Sequence, residues 1–265
     1  MRSTDTPATR LHFEDRGSGP ALLLVHGHPF DHTMWQPQID LFSLTHRVIA
    51  PDLRGYGTTP LGATPEITGL GDFAEDLVGL LDHLEIEDCV LAGLSMGGQI
   101  AMELVRRHPE RVRGLVLADT FPAAETEEGR AARNAMADRL LKEGMRGYAD
   151  EVLDRMVAPY NAHAAPHVHR MMCATDPVAA AAALRGRAER PDYRATLAAL
   201  AVPALVVVGR DDTYTPVADA EEMHALLPHS TLIVIERAAH LPNLERPEEF
   251  DAALDAFLRS LVRPS

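Results

Sequence analysis

Short apolar runs alternate with longer stretches of helical periodicity along most of the chain. Ala21–His26, Arg47–Ala50, Cys89–Leu94, Leu115–Ala118, Ala204–Val208 and Thr231–Ile235 have the length of strands. Leu115–Ala118 and Ala204–Val208 are apolar throughout, as strands covered on both faces are. Ahead of most of these, Leu11–Glu14, the turn Gly17-Ser18-Gly19-Pro20 and Ala21–His26 read as a two-stranded hairpin. Between Ile67 and Leu84, residues Leu70, Phe73, Leu77, Leu80, Leu81 and Leu84 recur at three- and four-residue steps, which predicts an amphipathic helix. Met96–His108 predicts a second helix, closed by Pro109. Pro247–Leu261 predicts a last one, with its proline in the first turn, where a missing N–H costs least. The alternation predicts an α/β fold, a mostly parallel sheet with helices on both faces.

From Phe121 to about Arg194 the alternation stops. This stretch is rich in Ala, Arg, Met and His, reads as several short helices and offers no strand. Structureless loops of about 70 residues are uncommon, so the expectation is a helical subdomain over 121–194, inserted after the strand ending near Asp119. Residues 1–120 and 195–265 then form the α/β core.

At 265 residues, 46% hydrophobic and 24% charged, the chain can bury a sizeable core. Acidic residues outnumber basic ones 39 to 25, a formal charge of −14. That sign repels nucleic-acid backbones and anionic membrane surfaces, so neither is an expected partner. The apolar run Ala21–Val25 is far shorter than the roughly 20 residues of a membrane span. The opening MRSTDTPATR has no apolar stretch for a secretion signal, and the expectation is a cytoplasmic protein. Cys89 and Cys173 are too few for a disulfide framework or a cysteine zinc site.

The candidate chemistry starts at Gly93-Leu94-Ser95-Met96-Gly97, a G-x-S-x-G pattern directly after a predicted strand and opening a predicted helix. That is the setting of a nucleophile elbow, where small neighbours allow a sharp turn and the helix N-terminus favours developing negative charge. Ser95 is the expected nucleophile. A serine hydroxyl needs a base, and the base an orienting carboxylate. Asp211 and Asp212 lie just past Ala204–Val208, and His240 follows the next predicted strand. Ser95, Asp212 and His240 are the expected set, with Asp211 the rival acid.

Five motifs occur in order: HGHPFDHTMW from His26, PDLRGYG from Pro51, GLSMGG from Gly93, GRDDTYTP from Gly209 and AAHLPNLERPEEF from Ala238. With them the chain resembles the α/β-hydrolases of the esterase and lactonase type over essentially its full length. The last motif, together with Arg190-Pro191-Asp192, is most similar to small carboxylesterases and 3-oxoadipate enol-lactonase-like hydrolases. The resemblance implies an α/β-hydrolase fold, a substrate-selecting helical cap, no cofactor or metal, and a small-molecule ester or lactone substrate. It also implies an oxyanion hole made by the backbone N–H groups of His28 and Met96. His28 stands where relatives usually carry an aromatic or aliphatic residue, so its side chain is expected to make the acyl pocket more polar.

On this resemblance Ser95 would form an acyl-enzyme, His240 would move the proton and Asp212 would orient the imidazole. Dehalogenase and epoxide-hydrolase chemistry need a carboxylate at the elbow and are excluded by Ser95. Carbon–carbon bond hydrolysis and perhydrolysis run on the same triad, and a non-catalytic small-ligand receptor is the alternative from another class. His26, His28, Asp31 and His32 nearly spell an H-x-H-x-D-H ligand set with one residue too many, and His163, His167 and His169 lack an acidic partner at ligand spacing. No metal is expected at either. Asp52 and Arg54 are expected to brace loops, and Trp35 to pack the start of a helix. The methionines of the insertion fit either core or pocket.

Overall fold

The computed structural model describes residues 11–62 and 66–261; the N-terminal decapeptide lies outside them. The first elements are β1 (Phe13–Arg16), β2 (Ala21–Val25), α1 (Gln36–Phe42) and β3 (Arg47–Pro51). They are followed by α2 (Leu70–His83), β4 (Cys89–Leu94), α3 (Met96–Arg107) and β5 (Val112–Ala118). Helices α4 (Glu127–Glu143), α5 (Arg146–Met156), α6 (Ala165–Ala174), α7 (Pro177–Ala188) and α8 (Arg194–Ala198) separate β5 from β6 (Ala204–Gly209). The chain ends through α9 (Val217–Leu226), β7 (Ser230–Ile235), α10 (Pro242–Glu245) and α11 (Pro247–Ser260).

The seven strands form one sheet in the order β1-β3-β2-β4-β5-β6-β7, parallel except for the antiparallel edge pair β1–β3. Strands β2, β4 and β6 are buried at every residue, which explains runs with no polar alternation. Successive side chains still point to opposite faces. Leu23, Val25, Leu91 and Leu117 pack with Phe73, Leu77 and Ile100 of α2 and α3. Leu22, Leu24, Val90 and Val116 pack with Ile39, Phe250 and Leu254 of α1 and α11.

Two expectations need correction. The Leu11–Glu14 and Ala21–His26 segments do not form a hairpin, because β3 lies between them and β1 pairs with it, Phe13 opposite Pro51 and Arg16 opposite Val48. The fully buried β2 takes parallel neighbours on both sides, while the half-exposed β1 suits an edge. The helix predicted from Ile67 begins at Leu70 instead. Thr68 gives its N–H to the Ala182 carbonyl at 3.0 Å, and the Asp72 carboxylate takes the Gly69 N–H at 2.8 Å.

Between β5 and β6 the described chain is helical, as its composition predicts. Only Ala137 and Leu140 of α4 are buried, and they meet Ala180, Ala181 and Leu184 of α7. The alanine run is the small-residue surface that lets the two helices approach. No helix among the described residues is long and apolar enough to cross a membrane.

What matters for function is the edge of the sheet formed by the strand C-termini. The register sets Val25 beside Gly93, Leu94 beside Ala118, Ala118 beside Val207 and Gly209 beside Ile235. Loops carrying His26–His28, Ser95, Asp119, Asp211–Asp212 and His240 therefore all leave from one edge, the usual ligand side of an open α/β sheet.

Candidate active site

Ser95 joins β4 to α3 at φ 56°, ψ −117°, a backbone conformation that is costly for any residue with a side chain. Its N–H donates to the Ala118 carbonyl at 2.9 Å, and its carbonyl accepts the Thr120 hydroxyl at 2.8 Å. The turn closes because its flanks are glycine. A Cβ on Gly93 would stand 2.2 Å from the Gly97 carbonyl oxygen, and one on Gly97 2.2 Å from that of Val25.

His240 is buried, and its Nδ1 lies 2.8 Å from Asp212 Oδ2. Asp212 is buried too and also accepts the N–H groups of Tyr214 at 2.7 Å and Thr215 at 3.2 Å and the Thr215 hydroxyl. Burial opposes its charge, but His240 and these donors outweigh it and hold the carboxyl below its usual range. The rival Asp211 is exposed and accepts the Tyr160 hydroxyl instead. Adjacent acids thus point to opposite sides of one loop. Ser95 and His240 both line a cavity of about 370 Å³ between the sheet edge and the helical insertion. No hydrogen bond joins the two side chains among the described residues; such contacts often tighten only when substrate is bound.

The His26–Gly27–His28 turn packs on the elbow: a Cβ on Gly27 would come 3.2 Å from Ser95 Cβ. His26 holds the turn, its Nε2 accepting the Leu53 N–H at 3.0 Å and its Nδ1–H donating to the Gly27 carbonyl at 2.8 Å. Burial lowers the pKa of His26, consistent with a neutral ring in this role. The backbone N–H groups of His28 and Met96 have no hydrogen-bond partner among the described residues, and Met96 is the first residue of α3.

The family model described as the alpha/beta hydrolase family matches residues 22–253. The chain belongs to that family. It is 30% identical over 250 residues to 3-oxoadipate enol-lactonase 1 of Acinetobacter baylyi, covering 92% of this chain and 90% of that one. It is 30% identical over 261 residues to the pimeloyl-[acyl-carrier protein] methyl ester esterase of Aliivibrio salmonicida, covering 95% and 97%. Among solved structures it is similar to a thermophilic esterase from Thermogutta terrifontis, malate bound, with a TM-score of 0.92 and 38% identity over 95% of this chain and 93% of that one.

Other residues around this candidate site carry no local sequence signature. Asp119, just past β5, accepts the Gly209 N–H at 2.9 Å, and its Oδ2 has no partner among the described residues. Each of Asp119, Asp212 and His240 places one polar atom within 4.8 Å of the others. Burial first, and then the Asp212 charge, push the Asp119 carboxyl well above the usual carboxylate range. Glu245 is buried and binds four donors, the N–H groups of Ala158, Ala239 and Leu241 and the Asn161 side-chain amide. It therefore links the histidine loop to the insertion.

The histidines singled out by spacing do not converge as one set. His28 Nδ1 meets the Tyr56 hydroxyl at 2.8 Å, His32 meets Asp52 at 2.6 Å, and Asp31 holds the Thr33 N–H. His12 also reaches Asp52, but both Asp52 oxygens already accept backbone N–H groups from His32 and Thr58, so this cluster is a loop brace. Arg54 pairs with Asp76 on α2, again as a brace. His163, His167 and His169 turn to Leu244, Thr33 and Asp150 respectively. Trp35 packs 5.9 Å from Phe250, away from the cavity. Met136 and Met156 line the cavity, whereas Met145, Met171 and Met172 fill cores. Burial pushes the Cys89 thiol up to about 12, which removes it as a nucleophile at neutral pH.

Proposed function

We propose that this chain is a serine hydrolase of carboxylic esters or lactones. The observation that carries the reading is Ser95 on its strained elbow, opening onto the same cavity as an imidazole already held by a buried aspartate. Ester and lactone hydrolysis by the enol-lactonase and methyl ester esterase relatives supports it. Ser95 Oγ attacks the substrate carbonyl carbon, and its proton passes to His240 Nε2. The carbonyl π pair moves onto oxygen, where the free N–H groups of His28 and Met96 stabilise it. The pair then returns, the carbon–alkoxide bond breaks, and the His240 proton leaves with the alcohol. Water, deprotonated by His240, cleaves the acyl-enzyme to release the acid and restore Ser95.

Asp212 stays ionised throughout and offsets the imidazolium charge, as its lowered pKa supports. Burial and the Asp212 charge push the pKa of the Asp119 carboxyl upward, which opposes a second negative charge beside it. The helices between β5 and β6 act in this reading as a cap whose residues set the substrate. A fluorophosphonate probe followed by peptide mass spectrometry tests the assignment: the adduct is expected on Ser95 and lost in Ser95→Ala. An adduct elsewhere, or none on active protein, would overturn it.

A further inference from the structure

The cap side of the cavity holds a cation with no counter-ion among the described residues. Arg187 of α7 is only 8% exposed and lines the cavity. Its Nε donates to Gln99 Oε1 at 3.0 Å, and it has no salt-bridge partner among the described residues. The nearby charges deepen the imbalance. Arg133, also on the cavity wall, and Arg190 both pair with Glu125, which leaves Arg187 beside two further guanidinium groups with no carboxylate paired to it among the described residues. Burial first, and then the charges of Arg133 and Arg190, destabilise the cationic form of Arg187. An unpaired buried cation is costly.

Two more donors that line the cavity are unused among the described residues. An Arg Nε can only donate, so Gln99, a residue 1% exposed, turns its oxygen to Arg187, and its Nε2 has no partner among the described residues. The Tyr56 hydroxyl has no other partner among the described residues, so its proton goes to His28 Nδ1 and leaves the imidazole hydrogen on Nε2. That Nε2 is buried, on a residue 3% exposed, without a partner among the described residues. Burial and then the Arg187 charge keep His28 neutral, so it can donate from Nε2 without adding charge.

We propose that Arg187, Gln99 and His28 form a subsite for a carboxylate, and that the preferred substrate is an ester or lactone bearing a second, anionic group. This rests on the ester-hydrolase reading above and names the substrate class of the same site. A planar guanidinium fork with flanking N–H donors matches a carboxylate in geometry and charge. The carboxylate released by hydrolysis of any ester has the same chemistry, so the test must separate an extra carboxylate from a product one.

Methyl hydrogen glutarate and methyl valerate have similar shape and differ in one terminal carboxylate. The ratio of their kcat/KM values is expected to exceed about 10 in the wild type and to fall about 10- to 100-fold in Arg187→Met, the scale of a charged hydrogen bond. Arg187→Lys should recover part of the ratio. A wild type that prefers methyl valerate, or a ratio unmoved in Arg187→Met, would overturn the proposal. Should Arg187→Met fail to fold by circular dichroism, inhibition of wild-type methyl valerate hydrolysis decides. Glutarate is expected to inhibit at least about 10-fold more tightly than valerate, and equal inhibition means that the wall serves only a product carboxylate and overturns the subsite. If no ester is turned over, the hydrolase reading has failed by itself. Thermal stabilisation by glutarate, present in wild type and absent in Arg187→Met, would still support the carboxylate site, and its absence from wild type would sink it.

Discussion

Replacing Glu245 by Gln changes one oxygen to an amide nitrogen without altering shape. Oε1 accepts the N–H groups of Ala239 at 2.9 Å and Leu241 at 3.2 Å, on either side of His240. Oε2 accepts the Ala158 N–H at 2.9 Å and the Asn161 Nδ2–H at 2.8 Å, both in the insertion. A glutamine keeps one pair and turns a donor toward the other. A hydrogen bond to a charged group contributes about 1.5–3 kcal/mol, and a buried donor left unpaired costs about 1–3 kcal/mol. With partial relaxation, Glu245→Gln is expected to lose about 3–5 kcal/mol, a large share of the roughly 5–15 kcal/mol of an ordinary domain. Urea unfolding followed by far-UV circular dichroism reads that loss. Under conditions where the variant stays folded, kcat/KM for a simple ester should also fall about 10- to 100-fold, because His240 is held between two of the affected amides. A loss below about 1 kcal/mol with kcat/KM within about twofold of wild type would refute the view that this carboxylate positions the histidine loop.

The acid assignment is open to a paired comparison. Asp212→Asn should lower kcat by about 10³- to 10⁴-fold, and Asp211→Asn by no more than a few-fold; the reverse pattern would transfer the role to Asp211. At low pH the stability contributed by ionised Asp212 is lost. The sign follows from its depressed folded-state pKa: the contribution is present above the unfolded value and disappears as pH falls through the folded one. Asp251 behaves in the opposite sense. Burial, partly opposed by Gln38 at 2.7 Å, raises its carboxyl from 3.8 to about 6, so stability is lost as pH rises through that window. Because Asp251 is only partly buried and solvent screens it, Asp251→Asn should raise stability at pH 8 by about 1 kcal/mol, read as a higher Tm, and give no gain at pH 4; equal gains at both would refute the cause.

The parts of the site built from short-range patterns were legible in the amino-acid order. The elbow needs Gly93 and Gly97 at fixed offsets because carbonyl oxygens stand 2.2 Å from where their Cβ atoms would lie. A parallel sheet then brings the loops after β2, β4, β6 and β7 to one edge, which is why Ser95, Asp212 and His240 could be sought in order. Long-range choices were not legible. Gly17–Pro20 looks like a hairpin turn, and only the need of β2 for two parallel neighbours sends β1 to the edge. Arg187 sits in a helix whose composition says only that it is helical, and its isolation depends on where α7 lies over α3. Glu245 reads as one acid among several near the C-terminus, and its four donors come from segments up to 87 residues away.

The central claim, a serine acyl-enzyme, is tested most directly by p-nitrophenyl acetate hydrolysis with wild type and Ser95→Ala side by side, each shown to be folded. The account predicts turnover by the wild type and a fall of several orders of magnitude in kcat for the variant. A folded Ser95→Ala that keeps more than about a tenth of the wild-type rate would contradict it.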